Sequence, residues 1–174
     1  MNKKNCKIIW LTGLSGSGKT TISKNLLQKL KKNNFKVIAV DGDKFRKRTK
    51  TKNKFTKKNI IQNNYAIIDY LKQIINFYDF IIVSVISPLR ITRARAKKIF
   101  SKNYLEIYIK CKIKALIERD TKGLYKLAQK KKIKNLIGFN SRINYERSNY
   151  RVVVIKSDKL TIKQSVNKVL NKIK

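Results

Sequence analysis

Residues 13–20 read GLSGSGKT and match the phosphate-binding pattern G-x-x-x-x-G-K-[ST]. Glycines in this loop let the backbone approach a phosphate closely, so that consecutive N–H groups can donate hydrogen bonds to its oxygens. Lys19 is then placed to bridge the β- and γ-phosphates of ATP, and the Thr20 hydroxyl is placed to bind Mg²⁺. The sequence therefore predicts a site for ATP and Mg²⁺, with the ATP-binding residues Gly13, Leu14, Ser15, Gly16, Ser17, Gly18, Lys19 and Thr20.

Two carboxylates, Asp41 and Asp43, stand on either side of a glycine directly after an apolar segment. The carboxyl ends of strands in an open α/β sheet form the edge where ligands bind. One carboxylate there can bind a metal ion, and the other can orient an acceptor hydroxyl. An aspartate at a strand end is also a common turn or N-cap residue. The phosphate loop favours the chemical interpretation, in which Thr20 and Asp41 bind Mg²⁺. Asp43 is then catalytic, together with Lys19 and Asp41.

Alternating apolar and amphipathic segments predict the elements that hold these residues. Short β-branched runs at 7–12, 36–41, 80–87, 104–110 and 151–156 resemble strands buried on both faces of a mostly parallel sheet. Helical spacing of apolar residues predicts helices at 19–32, 60–77, 92–100, 113–119, 124–129 and 161–173. The predicted fold class is therefore α/β. It is a three-layer P-loop nucleoside-triphosphate hydrolase-like fold, with about five strands flanked by helices and a small lid.

Length and composition suit one domain over residues 1–174, because 42% hydrophobic content can fill a sizeable core. The longest apolar runs, such as 80–86, are far shorter than the roughly 18 to 20 residues of a transmembrane helix, so no membrane partner is expected. The chain has no histidine, and Cys6 and Cys111 are isolated, which excludes zinc-ligand spacing and a Cys–His nucleophile. Isolated cysteines fit a reducing cytoplasm, which is the predicted location.

Lysine and arginine outnumber aspartate and glutamate by 44 to 9, which gives a formal net charge of +35. A basic excess of this size is typical of proteins that bind nucleic acid. The excess is mostly lysine spread along the whole chain, whereas base readout and phosphate clamps use clustered arginine and stacking aromatic rings. We therefore expect no specific nucleic acid partner. A polyanion-binding protein without catalysis remains an alternative.

Four motifs in a fixed order carry a family resemblance: WLTGLSGSGKTT at 10–21, DGDKFR at 41–46, ISPLR at 86–90 and ERDTKGLY at 118–125. Together they resemble adenylylsulfate kinase, and the spacing between them is similar to that family over nearly the whole chain. The resemblance implies transfer of the γ-phosphoryl group of ATP to the 3′-hydroxyl of adenylylsulfate, which activates sulfate for assimilation. It also implies a lid over about residues 119–146 and suggests a homodimer.

The resemblance also implies roles for individual residues. Asp43 matches the acceptor-side carboxylate, and Phe55 matches an aromatic residue that stacks on adenine. Ser87 matches a serine that contacts the acceptor and is included among the catalytic residues, and Arg119 is expected to bind ATP from the lid. The implied acceptor-binding residues are Asp43, Arg46, Phe55, Asn63, Ser87, Arg90 and Lys122. Simpler interpretations stay open: Ser87 could end a strand, Phe55 could anchor the core, and Arg119 could form a surface pair with Asp120.

Two departures from the family's pattern fall on the acceptor side. The family's D-R-x-x-N is NIIQN at 59–63, so that Ile60 stands where an arginine is expected. Loss of an arginine that grips an anion weakens binding by on the order of 1.5 to 3 kcal/mol. The family's F-T-G is LIG at 136–138, and Leu136 cannot stack on a base as an aromatic ring does. A related P-loop kinase acting on a different hydroxylated small molecule is therefore the second hypothesis.

Overall fold

Five parallel strands form the middle layer of the molecule. The structure is a computed structural model, and it describes residues 6–48 and 56–173. Its strands are β1 (Lys7–Thr12), β2 (Val37–Asp41), β3 (Phe80–Ser84), β4 (Tyr104–Lys110) and β5 (Val153–Lys156). They are ordered β2-β3-β1-β4-β5, and each pair of neighbours is parallel. The predicted α/β class and the five predicted strands are confirmed.

The helices that flank the sheet are α1 (Lys19–Lys32), α2 (Gly42–Arg48), α3 (Lys57–Ile74), α4 (Arg90–Phe100), α5 (Ile113–Arg119), α6 (Leu124–Gln129) and α7 (Ile162–Ile173). Short 3₁₀ turns follow α3 and α4, at Ile75–Phe77 and Ser101–Asn103. The predicted bounds of α1, α5 and α6 are confirmed. α3 begins earlier than predicted, because Thr56 Oγ1 caps it by accepting a hydrogen bond from the N–H of Asn59 at 3.2 Å.

Helix α2 was missed in the sequence. Its residues, GDKFRKR, are mostly charged, so no apolar periodicity marks them. Asp41 Oδ1 accepts hydrogen bonds from the N–H groups of Asp43 at 3.0 Å and Lys44 at 3.2 Å, which satisfies donors of the first turn. Asp41 is therefore a helix-capping residue as well as a candidate metal ligand. The helix places Asp43 at the carboxyl edge of the sheet.

The two faces of the sheet carry separate cores, because successive side chains of a strand point to opposite faces. Ile8 and Trp10 of β1 belong to one cluster, which also contains buried residues of α3 and α4. Ile9 and Leu11 belong to the other, which contains buried residues of α1 and α7. The result is the predicted arrangement of three layers. None of the helices in the described ranges is both long enough and apolar enough to span a membrane.

Strand β3 ends at Ser84, so its predicted end at residue 87 was wrong. Beyond Ser84 the regular pairing of the strand ends, although the N–H of Val85 still donates a hydrogen bond to the carbonyl oxygen of Leu11 at 3.1 Å. The carbonyl oxygen of Ile86 accepts a hydrogen bond from Thr12 Oγ1 at 2.5 Å, and Ser87 has a left-handed backbone with φ +44°. The residues after Ser84 are apolar because they pack beside the phosphate loop, and this burial resembles a strand in the sequence.

Candidate active site

The phosphate loop joins β1 to α1. Gly13 has φ +145°, and a Cβ atom there would lie 2.4 Å from the carbonyl oxygen of Ile109, so the position requires glycine. Lys19, in the first turn of α1, is buried, and its Nζ donates a hydrogen bond to the carbonyl oxygen of Leu14 at 2.7 Å. Burial lowers the pKa of Lys19 to about 7, and the charge of Lys122 acts in the same direction. A phosphate anion in the loop would raise this pKa again.

Thr20 and Asp41 meet at the mouth of the loop, where Thr20 Oγ1 donates a hydrogen bond to Asp41 Oδ2 at 3.0 Å. A hydroxyl and a carboxylate are oxygen ligands that suit Mg²⁺, which usually takes its remaining ligands from phosphates and water. In the described part of the chain, no group of three His, Cys, Asp or Glu side chains could hold a metal ion. The two predicted metal ligands lie together and fit an ion bound jointly by protein and nucleotide.

Asp43 lies between two cationic side chains. One of its carboxylate oxygens accepts a hydrogen bond from Arg46 Nη2, and the other accepts one from Lys122 Nζ. Burial raises the pKa of Asp43, but the hydrogen bond from Lys122 and the charge of Arg46 outweigh burial, so the pKa is lowered overall. Asp43 is therefore ionised at neutral pH, as a carboxylate that receives a proton must be.

A cavity of about 990 Å³ runs along this edge of the sheet. Its volume is at the upper end of the range for small-molecule sites, which leaves room for two substrates. Its polar lining outside the phosphate loop includes Asp41, Asp43, Arg46, Lys47, Arg119, Lys122, Asn135 and Ser157. Its apolar lining includes Val85, Ile86, Leu124, Ile133, Leu136, Ile137, Leu160 and Ile162. The phosphate loop, the two carboxylates and residues of the segment after α5 therefore line one cavity.

The strand order separates two ends of this cavity. β1, which leads into the phosphate loop, is the central strand, whereas Asp41 ends the edge strand β2 and Ser157 follows the opposite edge strand β5. Arg119 Nη2 donates a hydrogen bond to the carbonyl oxygen of Ser157 at 2.8 Å, and Arg119 lines the cavity together with Leu160 and Ile162. The carboxylates and Arg119 thus lie on opposite sides of the phosphate loop.

The segment after α5 is anchored on the phosphate loop. Tyr125 OH donates a hydrogen bond to the carbonyl oxygen of Ser15 at 2.9 Å. Gly138 has φ +81°, and a Cβ atom there would lie 2.6 Å from Cδ1 of Leu14. Leu14 also packs against both of the small apolar clusters beside the loop. The phosphate loop and this segment are therefore packed against each other.

Asn63, Ser87 and Arg90 are not among the described residues that line the cavity. Ser87 is 1% exposed, and its Oγ lies 3.1 Å from Thr92 Oγ1. Asn63 is also buried, and its Oδ1 has no hydrogen-bond partner within the described ranges. Arg90 is exposed, and Phe55 lies outside the described residues. An acceptor-binding role for these four residues, and a catalytic role for Ser87, remain predictions.

Sequence reasoning missed a buried ion pair beside the cavity. Arg93 Nε, on α4, lies 3.1 Å from Glu106 Oε1, on β4. One signal was present, because Glu106 interrupts an apolar strand in a chain with few acidic residues. A buried carboxylate requires a partner. The partner itself is set by the packing of α4 on the sheet, which the sequence does not specify.

A parallel sheet with a phosphate loop after its central strand, and with an ionised carboxylate near the lysine of that loop, defines a P-loop kinase. The sequence model of the adenylylsulphate kinase family matches residues 5–156. Because this match spans most of the chain, the chain belongs to the adenylylsulphate kinase family. The resemblance predicted from the four motifs is confirmed. The protein is a phosphotransferase with an alcohol group as acceptor.

Individual relatives differ in their named acceptors. The chain is 33% identical to an adenylyl-sulfate kinase of Clostridium kluyveri, over 94% of this chain and 81% of that protein. It is 34% identical to a cytidine diphosphoramidate kinase of Campylobacter jejuni, over 98% of each. The Mycobacterium tuberculosis APS kinase, solved in complex with AMPPNP and APS, has a TM-score of 0.88 at 23% identity and is matched over 97% of both chains. At that identity the structural likeness shows the fold alone.

Proposed function

We propose that the protein transfers the γ-phosphoryl group of ATP to the 3′-hydroxyl of adenylylsulfate, giving 3′-phosphoadenylylsulfate and ADP. The single observation that carries this proposal is an ionised Asp43 paired with both Arg46 and Lys122. Two cations beside the acceptor-side carboxylate suit an acceptor with an anionic tail, because charge-assisted hydrogen bonds to such a tail are strong. The family match over residues 5–156 supports adenylylsulfate as that acceptor.

Each residue of the proposed mechanism has a role that its contacts support. The loop N–H groups and Lys19 hold the β- and γ-phosphates, and Lys19 exchanges the carbonyl of Leu14 for a phosphate oxygen. Thr20 and Asp41 would hold Mg²⁺, which would supply positive charge to neutralise the phosphate oxygens. The acceptor oxygen forms a bond to the γ-phosphorus while the bond to the β-phosphate oxygen breaks. Asp43 receives the hydroxyl proton and passes it to solvent, and the bonding electrons leave with ADP.

We also propose that residues 119–146 act as a lid on a single domain of residues 1–174. Lys122, Leu136 and Ile137 of this segment line the cavity. Closure of their apolar surface over the substrates would exclude water, which otherwise competes as the phosphoryl acceptor. The planar guanidinium of Arg119 is suited to stack on the base of ATP.

A second candidate function is phosphorylation of another nucleotide derivative, of the kind that the Campylobacter relative's name describes. That relative matches nearly the whole chain at 34% identity. Ile60, which replaces the expected arginine, is buried in an apolar cluster with Leu89 and Ile137, so no cation stands at that position. Leu136 lines the cavity where an aromatic ring is expected. The changes at positions 60 and 136 favour an acceptor that is bound through contacts different from those expected for adenylylsulfate.

ATP consumption by the purified protein with Mg²⁺ separates these candidates. Adenylylsulfate is compared with cytidine diphosphoramidate, unmodified nucleotides, nucleosides and sugars. Asp43→Asn serves as the control for contaminating kinases. Selective turnover of adenylylsulfate supports the first candidate, and selective turnover of another acceptor supports the second. Absence of turnover, together with salt-sensitive binding of nucleic acid, would instead support the polyanion-binding alternative.

A homodimer and a cytoplasmic location also remain our proposals. Cys6 is buried and Cys111 is half-buried, and two cysteines that stand isolated in the sequence suit a reducing compartment. Light scattering coupled to size-exclusion chromatography measures the mass in solution, and a mass of one chain at assay concentrations would exclude the dimer.

A further inference from the structure

The ion pair between Arg93 and Glu106 is almost completely removed from water, with side-chain exposures of 0% and 2%. Burying two charges is costly, and a buried pair often contributes less to stability than apolar residues of similar size. A contribution to folding stability therefore does not by itself explain why this ion pair is present. Its other contacts indicate what it does.

The Arg93 guanidinium joins two parts of the chain that are distant in sequence. Nη1 donates a hydrogen bond to the carbonyl oxygen of Ser87 at 2.5 Å, and Nη2 donates one to the carbonyl oxygen of Glu146. Arg93 also lies over the ring of Tyr145, 4.8 Å from its centroid. One planar group thus holds the loop after β3 against residues 145 and 146.

Glu106 binds the same distant segment from the other side. Its Oε1 accepts a hydrogen bond from Ser148 Oγ at 2.7 Å, and its Oε2 accepts one from Tyr150 OH at 2.6 Å. The N–H of Glu146 donates a further hydrogen bond to the carbonyl oxygen of Pro88 at 2.9 Å. The 145–150 segment is therefore tied to the ion pair and to the loop after β3 by several hydrogen bonds.

This arrangement reaches the active site at two points. Ile86, next to Ser87, lines the cavity between the acceptor-side carboxylates and the phosphate loop. Tyr145 OH donates a hydrogen bond to Thr12 Oγ1 at 3.2 Å, and Thr12 directly precedes the phosphate loop. Thr12 Oγ1 in turn donates to the carbonyl oxygen of Ile86 at 2.5 Å. The ion pair, Thr12 and Ile86 are thus connected by an unbroken chain of hydrogen bonds and covalent neighbours.

We propose that Arg93 is a positioning residue, which fixes the cavity wall at Val85 and Ile86 relative to the phosphate loop and so sets the shape of the acceptor site. It does this through the carbonyl of Ser87 and through Tyr145. Glu106 supplies the countercharge that keeps the guanidinium in place. This inference rests on the proposed function only in requiring a phosphoryl acceptor beside Ile86, whichever acceptor that is.

The test compares Arg93→Lys with the matched control Arg95→Lys on the same helix. Lysine keeps the charge opposite Glu106 but lacks the planar fork that reaches two carbonyls at once. We expect Arg93→Lys to raise the acceptor KM at least about tenfold, the size of one lost charge-assisted hydrogen bond, while the Kd for ATP changes less than about twofold. Arg95 is exposed and lies over the ring of Tyr65, so Arg95→Lys is expected to leave both values unchanged.

A second variant, Arg93→Met with Glu106→Leu, removes both charges and leaves no buried ion unpaired. This variant should fold, and its acceptor KM should rise while its Kd for ATP stays nearly unchanged. The proposal would be overturned if both Arg93 variants lost affinity for ATP and for the acceptor equally. It would also be overturned if their acceptor KM matched that of Arg95→Lys. If the wild-type protein turns over no acceptor, the proposed function fails separately. Amide hydrogen exchange then tests the positioning role of Arg93. We expect residues 85–88 and 145–150 to exchange faster in Arg93→Lys than in the wild-type protein. Unchanged exchange in these residues would overturn the proposal.

Discussion

Lys122 Nζ lies 2.5 Å from Asp43 Oδ2, so the segment after α5 reaches the first turn of α2 across 79 residues of sequence. Both side chains are about half exposed, at 48% and 46%. An ion pair with this exposure stabilises a fold by only about 0.2–1 kcal/mol. The pair can therefore separate readily when an anionic acceptor offers Lys122 another partner, and this makes the contact a sensitive point for experiment.

Lys122→Gln should raise the acceptor KM about tenfold, because it removes a cation from the acceptor side of the cavity. Its melting temperature should fall by less than about 4 °C, since the lost pair is half exposed. Steady-state kinetics and thermal unfolding measure the two effects. Lys126→Gln, in the neighbouring helix α6, is the control. A KM unchanged from wild type would remove Lys122 from the acceptor site.

Asp43→Asn should lower kcat about 10² to 10⁴-fold, because asparagine cannot receive the hydroxyl proton. ATP binding should be nearly unchanged, since the phosphate loop and Lys19 are retained. Single-turnover kinetics with bound ATP separate the chemical step from binding. Asp69→Asn provides a matched control, because Asp69 is exposed and pairs with Lys72 at the surface. Near-normal turnover by Asp43→Asn would contradict a role for Asp43 as the base.

Binding of ATP should take up protons at pH 8. The pKa of Lys19 is lowered to about 7 by burial and by the charge of Lys122, so Lys19 is mostly neutral at that pH. A triphosphate in the loop favours the charged form and raises the pKa, so affinity for ATP should weaken as the pH rises above 7. Calorimetry in buffers of different ionisation enthalpy measures the uptake. Lys122→Gln should reduce it, and equal uptake by both proteins would contradict this assignment.

Ile60→Arg should lower the KM for adenylylsulfate if that is the acceptor, because it restores a cation where the family has one. The same change places a charge in the apolar cluster with Leu89 and Ile137, so the melting temperature should also fall. Ile61→Arg, at a half-buried neighbouring position, controls for the added charge. A higher KM for adenylylsulfate together with normal turnover of another nucleotide derivative would favour the second candidate function.

Tyr125→Phe should weaken ATP binding by about two- to tenfold, because the Ser15 carbonyl loses the hydrogen bond that braces the phosphate loop. Its effect on the acceptor KM should be smaller. Isothermal titration with a non-hydrolysable ATP analogue measures the change. Tyr78→Phe is the control, since Tyr78 lies just before β3, at the sheet edge opposite the loop. An unchanged Kd would show that the loop holds its shape without Tyr125.

Most of the fold could be predicted because its strands are β-branched and buried on both faces, which leaves a continuous apolar run in the sequence. The same reasoning failed at Ser87, where burial beside the phosphate loop imitates a strand. It also failed at α2, whose start is set by the capping hydrogen bonds of Asp41 and not by apolar spacing. Local patterns in a sequence indicate burial, and these two errors arise where burial and hydrogen bonding do not coincide.

The phosphate loop, Thr20 and Asp41 could be found in the sequence because a short motif contains nearly all of the chemistry. The remainder of the site comes from tertiary contacts. Lys122 approaches Asp43 only because the chain returns over the sheet, and Arg93 meets Glu106 only because α4 packs against β4. For the ion pair, the sequence indicated only that Glu106, a carboxylate in an apolar strand, requires a partner.

The contact between Leu14 and Gly138 has an evolutionary consequence. A side chain at 138 would have to adopt a left-handed backbone and would also strike Leu14 at 2.6 Å, so a larger residue there requires a smaller one at 14. The two positions should covary among homologues. A homologue that changes one of these two residues should therefore also change the other, so the phosphate loop and the segment around 138 should be inherited together.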